Sequence, residues 1–328
     1  MIIFYLSLYK NLIEEKTMNS KINNKKISVV AAAIVVIFIF TGLAIAAFEQ
    51  KTFAAGEDAV NAFIKAMKED NNEELLTIFG NDANELISSG DHVADQQRRE
   101  MFLGIYDEQH RLDAEGDELI LVVGKDDWPF PIPIIKRDGQ FIFDTAVGRE
   151  EILNRRIGRN ELDTIQVTLA IVDAQREYAM KDRDGDGLLE YAQKFKSDPN
   201  CKNGLYWETK EGEDPSPLGA FAAKARQEGY LGKKSSEEPQ PYHGYFYRIL
   251  TAQGVNATGG AFEYMVNGKM IGGFAVIAYP AEYGNSGVMT FIVNHDGVVY
   301  QKDLGEDTGK EAHNIKLFDP DKTWAKAQ

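Results

Sequence analysis

The sequence predicts an α+β protein with a leading apolar helix, a small unit of helices followed by a strand meander, and then one long helix feeding an antiparallel sheet. Three observations carry this. Residues 27–48 contain no charged side chain, and they are long enough to span a bilayer core of about 30 Å. Residues 57–112 place apolar side chains at helical spacing, after which the period drops towards two. From Asn160 a helical pattern runs into an aspartate-rich loop, beyond which strand-like runs dominate. The length of 328 residues accommodates about two domains. The expected division is an N-terminal cytoplasmic segment 1–26, a transmembrane anchor or signal sequence 27–48, a first α+β domain 49–148 and a second domain 149–328.

In chain order, Lys21, Lys25 and Lys26 precede the apolar stretch and set its orientation, with the bulk of the chain outside the cytoplasm. Met18 offers a second start, giving the short basic leader of a secretory signal with Ala44-Ile45-Ala46 as a cleavage site. Residues 57–69 carry Ala59, Val60, Phe63, Ile64 and Met67 on one helical face. Asn71-Asn72 breaks that helix, residues 73–79 begin a second, and 95–112 read as a third. Residues 118–123 and 141–143 read as strands, with Asp138-Gly139 as a hairpin turn. The run Trp128-Pro129-Phe130-Pro131-Ile132-Pro133 has three residues without an N–H, so it belongs at an edge or in a bulged crossover. This element order resembles the cone-shaped α+β fold typified by nuclear transport factor 2.

Arg149, Arg155, Arg156 and Arg159 interleave with Glu150, Glu151 and Glu161. They read as ion pairs fixing the joint between domains, with Gly158 at the turn; an anion site is the other reading. Asn160 then suits an N-cap, with Glu161 and Asp163 in the first turn. At about 100° per residue, Leu162, Ile165, Leu169 and Val172 share one face, and Val167, Ile171, Ala174 and Tyr178 share nearly the opposite one. Two stripes predict a helix covered on both sides; one wide stripe is the plainer alternative. Residues 215–241 form a long excursion broken by a short helix at 218–228, and strands follow at 245–251, 273–279, 288–293 and 298–302. The strand around Phe274–Tyr279 is apolar at every position, which predicts a central strand. One long helix before an antiparallel sheet, with the Ser-Gly and Asp-Gly-Val-Val-Tyr features of residues 272–305, resembles the globular half of a pilin or pseudopilin. The runs WPFPIP, FDTAVGREEILNRRIGRNEL, AQREYAMKDRDGDGLLEYAQ, GLYW, YHGYFYRILTAQG and SGVMTFIVNHDGVVYQKDLG together resemble a bacterial exported family known as domain of unknown function 2950. That resemblance implies export but no catalytic residues.

Composition narrows the function. Formal net charge is −15, and an acidic body has nothing with which to neutralise nucleic-acid phosphates or anionic lipid. Cys201 is the only cysteine, so neither an intramolecular disulfide nor a thiolate cluster forms. The sharpest motif is Asp182-Arg183-Asp184-Gly185-Asp186-Gly187-Leu188-Leu189-Glu190. Hard cations want six to eight oxygens, and an EF-hand-type loop supplies them from alternating positions. Here these are Asp182, Asp184, Asp186, the Leu188 carbonyl, Glu190 and Gln193, with Gly187 at the sharp turn and Leu189 in the inward-packing place. Gln193 stands where such loops carry a bidentate glutamate, so weak calcium binding, suited to extracellular concentrations, is expected. Gly284-Asn285-Ser286-Gly287 with His295-Asp296 lacks the nucleophile elbow of a serine hydrolase, and the scattered histidines exclude an H-x-x-x-H zinc pair. The expectation is therefore an exported envelope protein that binds or scaffolds an envelope protein or cell-wall component, with a calcium-stabilised loop. The competing expectation is an envelope hydrolase or isomerase with its pocket in the first domain and Asp91, Tyr106 or His110 near the chemistry.

Overall fold

The computed structural model describes residues 50–80, 83–210, 212–230 and 240–327. The N-terminal segment 1–26 and the expected anchor or signal at 27–48 lie outside the described residues. Among the described residues no helix is long and apolar enough to cross a membrane.

Helix α1, Gly56–Lys68, buries Ala59, Val60, Phe63 and Ile64 on one face and carries acids in its first turn and lysines in its last, as its dipole favours. Asn71 caps α2, Asn72–Phe79, by accepting from the Glu74 N–H at 3.0 Å. A single turn, α3 (Asn84–Ile87), leads to α4, His92–Glu108, capped by Asp91. The helix expected at 95–112 therefore starts earlier and ends earlier. His110–Glu115 is strand β1, paired antiparallel along its whole length with β2, Glu118–Val123. Only Leu112 and Ala114 are apolar in β1, so the hairpin partner decides its conformation, not its own pattern.

The proline run sits at the sheet edge. Trp128–Pro129 (β3) pairs with Val122 and Val123, and Ile134–Arg137 (β4) pairs with Glu118 and Leu119. Between them Pro131 and Pro133 bulge away, which removes the need for their missing donors. β5, Gln140–Phe143, closes the sheet through a turn with both Asp138 and Gly139 at positive φ, 51° and 81°. Phe63, Phe79, Ile134 and Phe143 form the centre of this first core.

The long helix α5 runs Thr145–Tyr178, 34 residues, or about 50 Å. It continues through Gly158 and Asn160 without a break, which corrects both the turn and the N-cap expected there. Asn160 is 1% exposed: its amide donates to the Ser286 carbonyl (2.8 Å) and its carbonyl accepts from Arg98 (3.0 Å). Gly148 lies so near the proline run that a β-carbon would stand 2.6 Å from the Pro131 carbonyl oxygen. The two-stripe reading is also corrected. Thr164, Thr168 and Gln175 lie at the middle of one wide buried face. Val167, Ile171, Ala174 and Tyr178 flank them on one side and Val172 on the other. Leu162 is 64% exposed, and Gln166, Asp173 and Glu177 face water with it.

After helix α6 (Gly219–Gln227), the second sheet is built from β6, Tyr245–Leu250. Short pieces follow: β7 (Ala252–Gln253) with β8 (Phe262–Glu263), and the hairpin of β9 (Met265–Val266) with β10 (Lys269–Met270). β11 (Ala275–Pro280), β12 (Met289–Asn294), β13 (Tyr300–Asp303) and, after helix α7 (Thr308–Asn314), β14 (Ala325–Lys326) complete it. The order is β14-β13-β12-β11-β6, antiparallel throughout. As expected, β11 is internal and buried on both faces, with α5 against one and α7 against the other. The element covered twice is this strand, not the long helix. The described residues form one compact unit containing both cores.

Candidate metal centre

The aspartate-rich loop follows the C-terminus of α5. Asp182, Asp184 and Asp186 each present a carboxylate oxygen, and these oxygens lie within 4.8 Å of one another. The loop holds that shape through its own backbone. The Gly185 and Gly187 N–H groups donate to the two oxygens of Asp182, at 2.7 and 2.9 Å, and Leu188 N–H donates to Asp186 at 2.9 Å. Gly185 and Gly187 have φ of 79° and 88°, conformations that a side chain resists. These bonds, first that from Gly187, hold the Asp182 carboxyl below the usual aspartate range.

The loop leaves as extended chain, not as a second helix, so it is half of an EF-hand at most. Leu189 was expected to pack inward and is instead 58% exposed. The exit strand is fastened elsewhere. Gln175 of α5 exchanges two hydrogen bonds with the Ala192 backbone, both 2.8 Å, and Tyr191 N–H donates to Met270 at 2.8 Å. The Gln193 amide donates to the Gly268 carbonyl at 2.8 Å, which commits its nitrogen to the β9–β10 turn and leaves its oxygen as an acceptor.

That hairpin supplies a residue the sequence reading missed. Lys269 Nζ lies 2.8 Å from Asp186 and 3.3 Å from Glu190, and also bonds Asp184. Hydrogen bonding to Asp184 first, then Asp186, raises the lysine well above its ordinary pKa; the same contact lowers Asp186. The ammonium thus occupies the position where the acids converge, and a divalent ion entering there must displace it. Asn267-Gly268 is a hairpin signal that would have placed Lys269 at a turn, but nothing local says which loop it meets.

One oxygen in the set has no partner among the described residues: Glu190 Oε2 is buried and unbonded. A buried carboxylate oxygen without a donor is costly, and a cation would relieve it. Asp182, Asp184, Asp186, Glu190 and the Leu188 carbonyl are an all-oxygen donor set of the kind calcium takes.

The residues named for catalysis sit apart from this loop. Asp91 is 2% exposed and accepts from Ala94 N–H (3.0 Å), Gly244 N–H (2.8 Å) and Tyr230 hydroxyl (2.9 Å). Tyr106 stacks on His110 with ring centroids 3.8 Å apart. The Ser286 hydroxyl is spent on the Glu282 backbone, accepting at 2.9 Å and donating at 3.1 Å, and so is not a poised nucleophile. The first core does hold a cavity of about 450 Å³, yet Asp91, Tyr106 and His110 do not line it.

Against known proteins, residues 50–327 match the family described as Protein of unknown function (DUF2950). No curated protein and no solved structure matches the chain.

Proposed function

This chain belongs to the DUF2950 family, and from that premise we propose a binding or scaffolding protein of the bacterial envelope whose aspartate-rich loop is stabilised by calcium. The observation that carries the reading is the convergence of Asp182, Asp184 and Asp186 beside a buried, unpartnered Glu190 oxygen. Asp182, Asp184, Asp186, Glu190 and the Leu188 carbonyl would hold the ion, with the Gln193 oxygen as a sixth donor. The ion would join the end of α5 to the β9–β10 hairpin without any chemistry of its own. Export, with residues 27–48 as a single-pass anchor or cleaved signal, belongs to this proposal and is supported by the uncharged stretch after Lys21, Lys25 and Lys26. A pilin-like second half also belongs to it, supported by a long helix laid on an antiparallel sheet. Binding is preferred to catalysis because the one carboxylate lining the cavity of the first core, Asp95, is already taken by Ser89 and Arg98.

The test is thermal unfolding of the full chain in millimolar calcium and in chelator. Calcium is expected to raise the melting temperature by several degrees, and Asp184→Ala to abolish the rise while leaving the chelator curve nearly unchanged. Superimposable wild-type curves would falsify the calcium reading.

A further inference from the structure

The cavity of the first core has walls of opposite character. Its floor is aromatic: Phe63, Phe102 and Phe130 meet with ring centroids 5.2 to 5.6 Å apart. Its lip exposes apolar side chains, with Met101 61%, Ile105 37% and Trp128 37% accessible. Its polar wall is five arginines, Arg98 and Arg99 from α4 and Arg155, Arg156 and Arg159 from α5, against the single aspartate Asp95. In a chain of formal charge −15 this is a local reversal of sign.

The arginines are not all neutralised. Arg98 pairs with Asp95 (3.1 Å), Arg99 with Asp70, and Arg155 with Glu151 (2.6 Å). Arg149, outside the cavity, takes Glu85 (2.7 Å). Arg156 and Arg159 have no carboxylate within salt-bridge distance among the described residues. Arg156 is 7% exposed, and its guanidinium bonds only neutral oxygens: the Glu85 carbonyl at 2.5 Å, the Leu86 carbonyl at 2.9 Å and the Asn285 side chain. Burial pushes it down to about 10, and it stays charged at neutral pH. No carboxylate touches the buried Arg156 guanidinium, and Asp95, Glu282 and Glu85 act on it only from a distance. Arg159 stands one helical turn away at the surface, with no ion pair among the described residues. The joint expected to consist of ion pairs is therefore half paired and half open.

We propose that this cavity binds an amphiphilic organic anion, with a carboxylate or phosphate head facing Arg156 and Arg159 and an apolar body on the phenylalanine floor. A volume of about 450 Å³ lies within the range of sites for small molecules, roughly 300–1,000 Å³, and suits one chain or ring system. An anionic head gains a charge-assisted hydrogen bond from each guanidinium it reaches. The proposal does not rest on calcium binding, since the cavity and the aspartate loop share no residue.

Calorimetric titration of the full chain with decanoate, decyl phosphate, decanol, decyltrimethylammonium and inorganic phosphate tests it. Decanoate or decyl phosphate is expected to bind at one site per chain, and decanol and the cationic amphiphile at least about tenfold more weakly. Inorganic phosphate alone should give no measurable heat, because it leaves the apolar floor uncovered. Arg159→Ala, an exposed substitution that leaves the fold intact, should weaken the anion about fivefold or more and reduce its salt dependence. Ile152→Trp, which fills the cavity from α5, should remove binding. Equal affinity for the cationic and anionic amphiphiles, tight binding of phosphate by itself, or an unaltered affinity in folded Arg159→Ala overturns the proposal.

Discussion

At the scale of single residues, Lys269 decides how the acidic loop behaves. Its ammonium bridges Asp184, Asp186 and Glu190, so the loop carries an internal cation before any ion arrives. Lys269→Met should therefore act in opposite directions on two measurements. In chelator the unscreened carboxylates repel and the melting temperature falls; in titration the calcium affinity rises severalfold, because no ammonium has to leave. Unchanged affinity would show that ion and lysine do not compete. Tyrosines give a second residue-scale outcome. Burial raises Tyr178 to about 12 and raises Tyr230, Tyr242, Tyr245, Tyr247 and Tyr264 further. A folded pKa above the unfolded value of about 10 gives stability that is complete below pH 10 and lost as pH rises through the folded values. Absorbance at alkaline pH should show these phenols ionising together with unfolding; independent ionisation near pH 10 with the fold retained would contradict their burial. The aspartate triplet was legible because ligand spacing is local. Lys269 was not, because the contact spans more than seventy positions and depends on where a hairpin lands.

At the scale of elements, α5 separates what pattern reveals from what it hides. Its buried face has Thr164, Thr168 and Gln175 at the centre, where hydropathy reads a gap. Each is satisfied: Tyr247 bonds Thr164 at 3.3 Å, Thr168 donates to Ile165 at 2.8 Å, and Gln175 clamps Ala192. A buried polar group with a partner looks like a surface group in sequence. Asn160 misleads in the same way, as a cap-type residue whose amide instead serves a distant loop. Strand β11 was legible because only a strand covered on both sides is apolar at every position. The close approach of α5 to the proline run is equally specific. Gly148→Ala improves helix propensity by about 1 kcal/mol but drives a methyl into the Pro131 carbonyl, an overlap costing about 1–3 kcal/mol. The expected net result is a lower denaturation midpoint with an unchanged slope. A stabilised variant would mean that helix and proline run separate easily.

At the scale of the whole molecule, two hydrophobic cores share one helix. Ile152 on the first half of α5 packs against the phenylalanine core, and Val167, Ile171 and Val172 on its second half belong to the sheet core. Between them Arg156, Asn160 and Glu161 reach the segment 285–289, the last accepting from Val288 and Met289 N–H at 3.0 and 2.9 Å. Asp91, at the start of α4, bonds Gly244 at the start of the second sheet. The link between the two cores thus consists of an unbroken helix and a buried polar seam. Gly158 sits midway, with open space around it, so a proline there meets no neighbouring atom except those of its own helix. Gly158→Pro removes one helical hydrogen bond and clashes with the preceding turn, a cost of about 3 kcal/mol concentrated at the link. Were the helix only a tether, calorimetry would show two unchanged transitions. If it carries the cooperativity, the wild type unfolds in one transition and the variant in two, the lower one assigned to the first core by the fluorescence of Trp128. One transition shifted down as a whole would place the coupling in the polar seam and not in the helix.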